Sequence, residues 1–347
     1  MNRRRALIAL LPFVLMAIRA PSHASPPVRP TNGTTPKVLR LAGNPQLQIL
    51  LNKWLAGFRK VHPDVRIQTH LSGSDTGMAA LYTGKADIAL LGRDPTASEI
   101  QAFEWIFGYK PAQVEVATGS ADQPGRSPAL VLFVHRGNPL HQLSLTQLDA
   151  IFGAGHRLSN VNIRTWGQLG LTGEWKNQFI NLYMPDAMSG SGRFFRHVVM
   201  GDSALMDWAH LTEFHDSALT GAGANDAGHK VVAALAKDRY GLAIASLGDS
   251  NDLIRQIAVK QKYNAIPVPA DRDSVFFRKY PLSRSVIACY NQSPGAPVNQ
   301  AVAEFLKLVL SKEGLQKVTP STGYLPLPAE LAAKQRSKLV PPHHVSP

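Results

Sequence analysis

Three short turns carry most of the chemistry this sequence can offer. They are Gly43-Asn44-Pro45, Ser72-Gly73-Ser74-Asp75-Thr76-Gly77 and Ser189-Gly190-Ser191-Gly192, and each lies between a strand-like run and a helix-like run. The first turn of a helix presents unpaired N–H groups at the positive end of its dipole, so such turns receive anions. Glycine lets the backbone approach a ligand closely, and serine and threonine hydroxyls add rotatable donors. Ordinary helix caps use the same residues, so a single turn of this kind is not a site. Three of them, distributed over two α/β blocks, point to an oxyanion held by backbone amides and hydroxyls.

Other chemistries find less support. Ser189-Gly190-Ser191-Gly192 is not the G-x-S-x-G of a nucleophile elbow. His197 lies six residues beyond Ser191, on another face of a helix starting at Arg193. No enzyme activity is expected; a phosphoester hydrolase using Ser191 is the enzymatic alternative. The Gly221–Asp226 run lacks the Lys-Ser/Thr of a phosphate-binding loop. The histidines show no paired ligand spacing, and His343-His344 stands near the C-terminus, so neither metal nor cofactor is expected. There is no aromatic-plus-basic motif of a nucleic-acid reader, and no nucleic-acid partner is expected.

The elements that must position these turns follow from periodicity. Val38–Gly43 reads as a strand, and Leu47–Lys60 as an amphipathic helix with apolar residues at 47, 50, 51, 54, 55 and 58. His62-Pro63-Asp64 ends that helix. A strand over 65–71, a helix over 76–82 and a strand over 86–91 complete a first α/β block with a largely parallel sheet. A second block begins with the apolar strand 128–135. It continues with a helix over 146–152, a strand over 179–183, helices over 193–200 and 231–236, and a strand over 241–245. The strand 285–290 and the amphipathic helix 298–310 read as returning to the first block, so the chain crosses twice and leaves a hinged cleft.

The two ends stand apart from this pattern. Arg3, Arg4 and Arg5 precede an apolar run of roughly a dozen residues, Ala6–Ile18, and small residues follow near Ala24, which is the pattern of a cleaved secretory signal. The run falls short of the ~20 residues needed to span a bilayer. The paired arginines leave Sec and twin-arginine export both open. No cysteine lies near the cleavage point, so a non-lipidated periplasmic or secreted product is expected. Cys289, the sole cysteine, falls within the 285–290 strand and reads as a buried, inert thiol. The formal charge is +13, of which the four arginines of residues 1–24 account for four, leaving +9. That balance favours anionic ligands without choosing among them. The expected organisation is signal 1–24, flexible leader 25–36, lobe 1 from 37–128 plus 275–333, lobe 2 from 129–274, and a flexible basic tail 334–347.

Several motifs resemble those of the phosphate-binding components of bacterial ABC importers. Ser72–Met78 with Gly84-Lys85-Ala86-Asp87-Ile88-Ala89 is similar to the family's GSGSGTGI…G-x-ADIA segment, and Leu145–Phe152 to its LTxxQLxxIF helix. Asp186–Phe195 resembles its anion loop, Tyr280–Arg284 its Y-P-L-x-R turn, and Gly323–Leu327 its closing segment. The resemblance spans about Leu39 to Pro328. It implies a type II periplasmic-binding fold: two α/β lobes, each a mixed, mostly parallel sheet flanked by helices, with the ligand between them. Phosphate or a related oxyanion is the implied ligand, an ABC permease the implied partner, and a monomer the implied state. A secreted sensor or scavenger without transport is the alternative on the same fold.

Carried over by position, the ligand-binding residues are Asn44, Ser74, Asp75, Arg93, Ser189, Gly190 and Ser191, with Thr76, Asp94, Arg193 and Asn225 as secondary candidates. Asp75 and Asp94 each suit acceptance of the O–H of protonated phosphate, which sulfate lacks at neutral pH. Asp75 also suits a helix cap, and Asp94-Pro95 a turn. The chain departs from the family at two points. Pro185 stands where the anion-loop arginine is expected, and Gly192 where a second arginine is common. Arg193 is the candidate replacement cation.

Overall fold

The computed structural model describes residues 37–339 except 124, 156, 157, 159 and 218–225. The expected signal segment, the leader, Asn225 and residues 340–347 lie outside the described residues. The first lobe opens with β1 (Val38–Gly43), α1 (Gln48–Val61), β2 (Arg66–Leu71), α2 (Ser74–Tyr82), β3 (Ile88–Leu91), α3 (Ala97–Phe107) and β4 (Ala112–Thr118). The second contains β5 (Leu130–His135), β6 (Gln142–Ser144), α4 (Leu145–Phe152), β7 (Asn181–Pro185), α5 (Gly190–Met200), β8 (Leu211–Phe214), α6 (Ala227–Leu235), β9 (Gly241–Ser246), β10 (Ile254–Lys260) and α7 (Arg272–Phe276). The chain then returns through β11 (Ser285–Tyr290), α8 (Gln300–Val309) and α9 (Ala329–Ser337).

Among the described residues, the first sheet runs β2-β1-β3-β11-β4 and the second β6-β10-β5-β9-β7-β8. Both are mixed. β1 is parallel to β2 and β3, whereas the returning β11 is antiparallel to β3 and β4. β7 is parallel to β8 and β9, while β5 is antiparallel to β9 and β10. This is the two-lobed α/β architecture that the sequence led us to expect.

Apolar periodicity builds each lobe separately. Leu50, Leu51, Trp54, Leu55 and Phe58 of α1 share a buried cluster with Phe305, Leu306 and Val309 of α8. Leu132, Phe133, Phe152, Phe195 and Val231 anchor the second cluster. At roughly 1.5–3 kcal/mol for each large apolar side chain removed from water, these two cores dominate the stability of the fold. Cys289 is buried on β11, and burial pushes its thiol pKa up, as expected for an inert position.

The two strands that connect the lobes lie side by side. Gly119 N donates to Arg284 O at 2.9 Å, and Leu130 N to Leu282 O at 3.1 Å. Two expectations need correction here. Val275, Tyr280 and Leu282 pack in the second core, not the first, and Tyr280 Oη donates to Leu130 O at 2.8 Å, so the chain returns after Leu282. The segment from Lys334 is not a frayed tail throughout: α9 runs to Ser337, Leu339 is buried in the first core, and Gln335 Oε1 accepts from Glu115 N at 3.1 Å.

Candidate functional site

A cleft of about 720 Å³ opens between the sheets. Asn44, Ser74, Asp75, Thr76 and Arg93 line it from the first lobe, and Ser189, Gly190 and Ser191 from the second. The three turns read from the sequence therefore face one space. Two of them are the N-terminal ends of α2 and α5, whose free N–H groups and dipoles favour an anion.

The side chains divide the work unevenly. Ser74 Oγ is buried and has no hydrogen-bond partner among the described residues. An unpaired buried hydroxyl is costly, and this one lines the cleft. Ser189 is committed to the fold: its Oγ accepts from Gly192 N at 3.1 Å as the N-cap of α5 and donates to Asp186 O at 2.6 Å. Asn44 Oδ1 likewise accepts from Gln46 N at 2.9 Å, capping the single turn Pro45–Leu47. Thr76 Oγ1 donates to Gly73 O at 2.9 Å. Asp94 is not among the residues lining the cleft.

Arg93 is 1% exposed and embedded in carboxylates. Its Nη1 and Nη2 donate to the two oxygens of Glu99 at 2.8 Å each, Nη1 also to Asp94 O at 2.8 Å, and Nη2 to Asp75. Burial disfavours its charge, but Glu99 and Asp75 outweigh that and hold the pKa above its ordinary value. Arg193, from α5, reaches the second oxygen of Asp75 at 2.9 Å, while its Nε donates to Met188 O at 2.9 Å.

The cation that sequence reasoning overlooked as a ligand contact is Arg284. It sits at the second connection between the lobes, lines the cleft and is 1% exposed. Its Nε and Nη2 donate to Gly92 O at 3.1 and 2.7 Å, and Nη1 donates to Ser191 Oγ at 2.9 Å. Among the described residues no carboxylate pairs with it. Burial pushes its pKa down to about 10, against a smaller opposing effect of Tyr324 and with a still smaller push in the same direction from the Arg93 charge. Its hydrogen bonds go to neutral oxygens alone, and the guanidinium also lies 5.6 Å from the centroid of the Phe194 ring, so its charge has no counter-ion among the described residues.

Close packing fixes this arrangement. A Cβ on Gly92 would lie 2.5 Å from Ser127 Oγ and 2.6 Å from Asn44 Nδ2. A Cβ on Gly192 would lie 2.3 Å from Asp186 O, so the second family arginine has no room at that position. Ser191 Oγ takes its observed hydrogen bond from a guanidinium, and His197 Nδ1 instead contacts Asp202 Oδ2 at 3.0 Å.

A PBP superfamily domain matches residues 25–313. A phosphate-binding protein PstS of Pseudomonas aeruginosa is 31% identical over 342 residues, covering 96% of this chain and 98% of the relative. The chain belongs to the PstS-like family of that superfamily. Solved structures share the fold of this PstS-like chain. An ABC-type phosphate transport receptor from Vibrio cholerae is 20% identical with a TM-score of 0.56, over 83% of this chain and 99% of that one. PstS from Borrelia burgdorferi is 15% identical with a TM-score of 0.56, over 84% of this chain and all of the other. In this PstS-like chain Pro185, Arg93 and Arg284 line the cleft, and Arg193 reaches Asp75, which lines it too.

Proposed function

We propose that this protein captures phosphate, or a closely related oxyanion, between its two lobes and delivers it to an ABC importer. The observation that carries the reading is the buried Arg284 guanidinium, bonded only to neutral oxygens across the lobe boundary, with the unpartnered Ser74 hydroxyl lining the same cleft. The name of the Pseudomonas aeruginosa relative supports phosphate as the ligand. The N-terminal pattern of the sequence supports an exported, periplasmic protein processed near Ala24. Among the described residues no helix is long and apolar enough to cross a membrane.

In this reading the N-terminal amides of α2 and α5, the Ser74 and Ser191 hydroxyls and Arg284 form the ligand shell. Each lobe contributes part of it, so ligand stabilises the closed arrangement by its preference for that state. Delivery requires a permease that recognises the closed form. The role needs no covalent chemistry and no cofactor.

Isothermal titration of the processed protein tests this directly. Phosphate should bind with one site per chain, and sulfate much more weakly. The absence of heat with phosphate, arsenate, sulfate and molybdate alike would remove the reading.

A further inference from the structure

A second set of charges spans the cleft above the buried donors. Asp75 belongs to the first turn of α2, and its side chain keeps 52% of its exposure. One of its oxygens accepts from Arg93, which is fixed in turn by Glu99. The other meets Arg193 Nη2 at 2.9 Å, and Arg193 belongs to α5 of the opposite lobe. Arg193 is itself held by its bond to Met188 O, and its side chain is 25% exposed. Both ends are thus preset before they meet, which lowers the entropy lost in pairing. Arg284 itself is almost fully removed from water, whereas the Asp75 bridge lies toward solvent.

We infer that Asp75 and Arg193 form an interlobe latch at the mouth of the cleft, which favours the closed form without ligand and slows escape of ligand from beneath it. The latch rests on the oxyanion-capture reading only for its second effect. Its first effect, on the ligand-free protein, stands independently. The other arginine of α5, Arg196, donates to Ser203 O and Ala187 O, so Arg193 is the helix's cation that meets the opposite lobe. The carboxylate side is the reason this cation points across the gap and is not directed into bulk water.

Arg193→Gln is the cleaner break, because Asp75 also holds Arg93; Asp75→Asn and the double variant complete the cycle. Small-angle scattering of the ligand-free proteins should show a larger radius of gyration for each single variant, with the double variant no more open than Asp75→Asn. Stopped-flow release of phosphate should quicken by about two- to fivefold in Arg193→Gln, the scale of one partly exposed ion pair. Arg193→Lys should recover part of both effects. Added salt should open the native protein and leave Arg193→Gln unchanged. Native-like scattering and native-like release in Arg193→Gln would overturn the latch, and so would effects of the two single variants that simply add. If phosphate does not bind at all, the scattering comparison still decides the latch while the capture reading falls alone.

Discussion

Arg284 Nη1 and Ser191 Oγ, 93 residues apart in sequence and carried by opposite lobes, lie 2.9 Å apart. Arg284 stands where the chain returns to the first lobe, and Ser191 stands in the first turn of α5. The contact ties the base of the cleft to the second lobe, and the guanidinium's other hydrogen bonds go to Gly92 O. The functional account rests on this pair.

Replacing the guanidinium should remove most of the affinity. Arg284→Gln keeps a donor but no charge, and losing one partner of a buried charge-assisted pair typically costs about 2–5 kcal/mol. Phosphate titration should show at least about a thirtyfold weaker complex, with the far-ultraviolet circular dichroism spectrum unchanged.

The depressed pKa of Arg284 gives a pH dependence with a definite sign. Its ordinary value is 12.5 and burial brings it down to about 10, so between these values the unfolded chain holds the proton more tightly. The cost of burying the charge is fully present at neutral pH, and stability of the ligand-free protein gains from this group as pH rises from about 10 toward 12.5. Bound phosphate favours the charged form, so its affinity should fall as pH climbs through about 10. Titrations across that range, where phosphate remains a dianion, would show the fall; an affinity independent of pH there would contradict the assignment.

The two serines of the α5 turn should separate cleanly. Ser189→Ala removes an N-cap and should lower stability by about 1 kcal/mol, read in urea unfolding, with a minor effect on affinity. Ser191→Ala leaves the cap in place and removes the oxygen that meets Arg284, so phosphate should bind about tenfold more weakly at near-native stability.

Much of this was legible because glycine and serine announce backbone roles locally. The α2 and α5 turns, the amphipathic α1 and the apolar β5 all follow from spacing within a dozen residues. Arg284 was legible only as part of a Y-P-L-x-R turn. Its partners Gly92 and Ser191 are 192 and 93 residues away, and no local period reports such a meeting. Ser189 and Ser191 look alike in sequence, and only the position of the helix start makes one a cap and the other the hydroxyl that meets Arg284. α3 and β4 escaped the periodicity reading. Within α3 Phe103 alone is fully buried, while Trp105 and Ile106 are exposed, so the helix lacks a clear apolar stripe, although its Thr96–Glu99 capping box was readable. The segment after Lys334 reads as a frayed tail because its basic composition conceals two anchoring residues, Gln335 and Leu339.

Close packing makes Gly92 a sensitive position outside the charged set. Gly92→Ala would force Ser127 or Asn44 aside and shift the carbonyl that holds Arg284. A loss of about 1–3 kcal/mol in stability is expected from overpacking, together with weaker phosphate binding, by denaturation and titration on the same sample.

A crystal structure of the processed protein grown with phosphate tests the central claim most directly. The account predicts one tetrahedral anion between the lobes, within hydrogen-bonding distance of Ser74 Oγ, Ser191 Oγ and the Arg284 guanidinium. A phosphate bound elsewhere, with Arg284 still bonded only to Gly92 and Ser191, would contradict it.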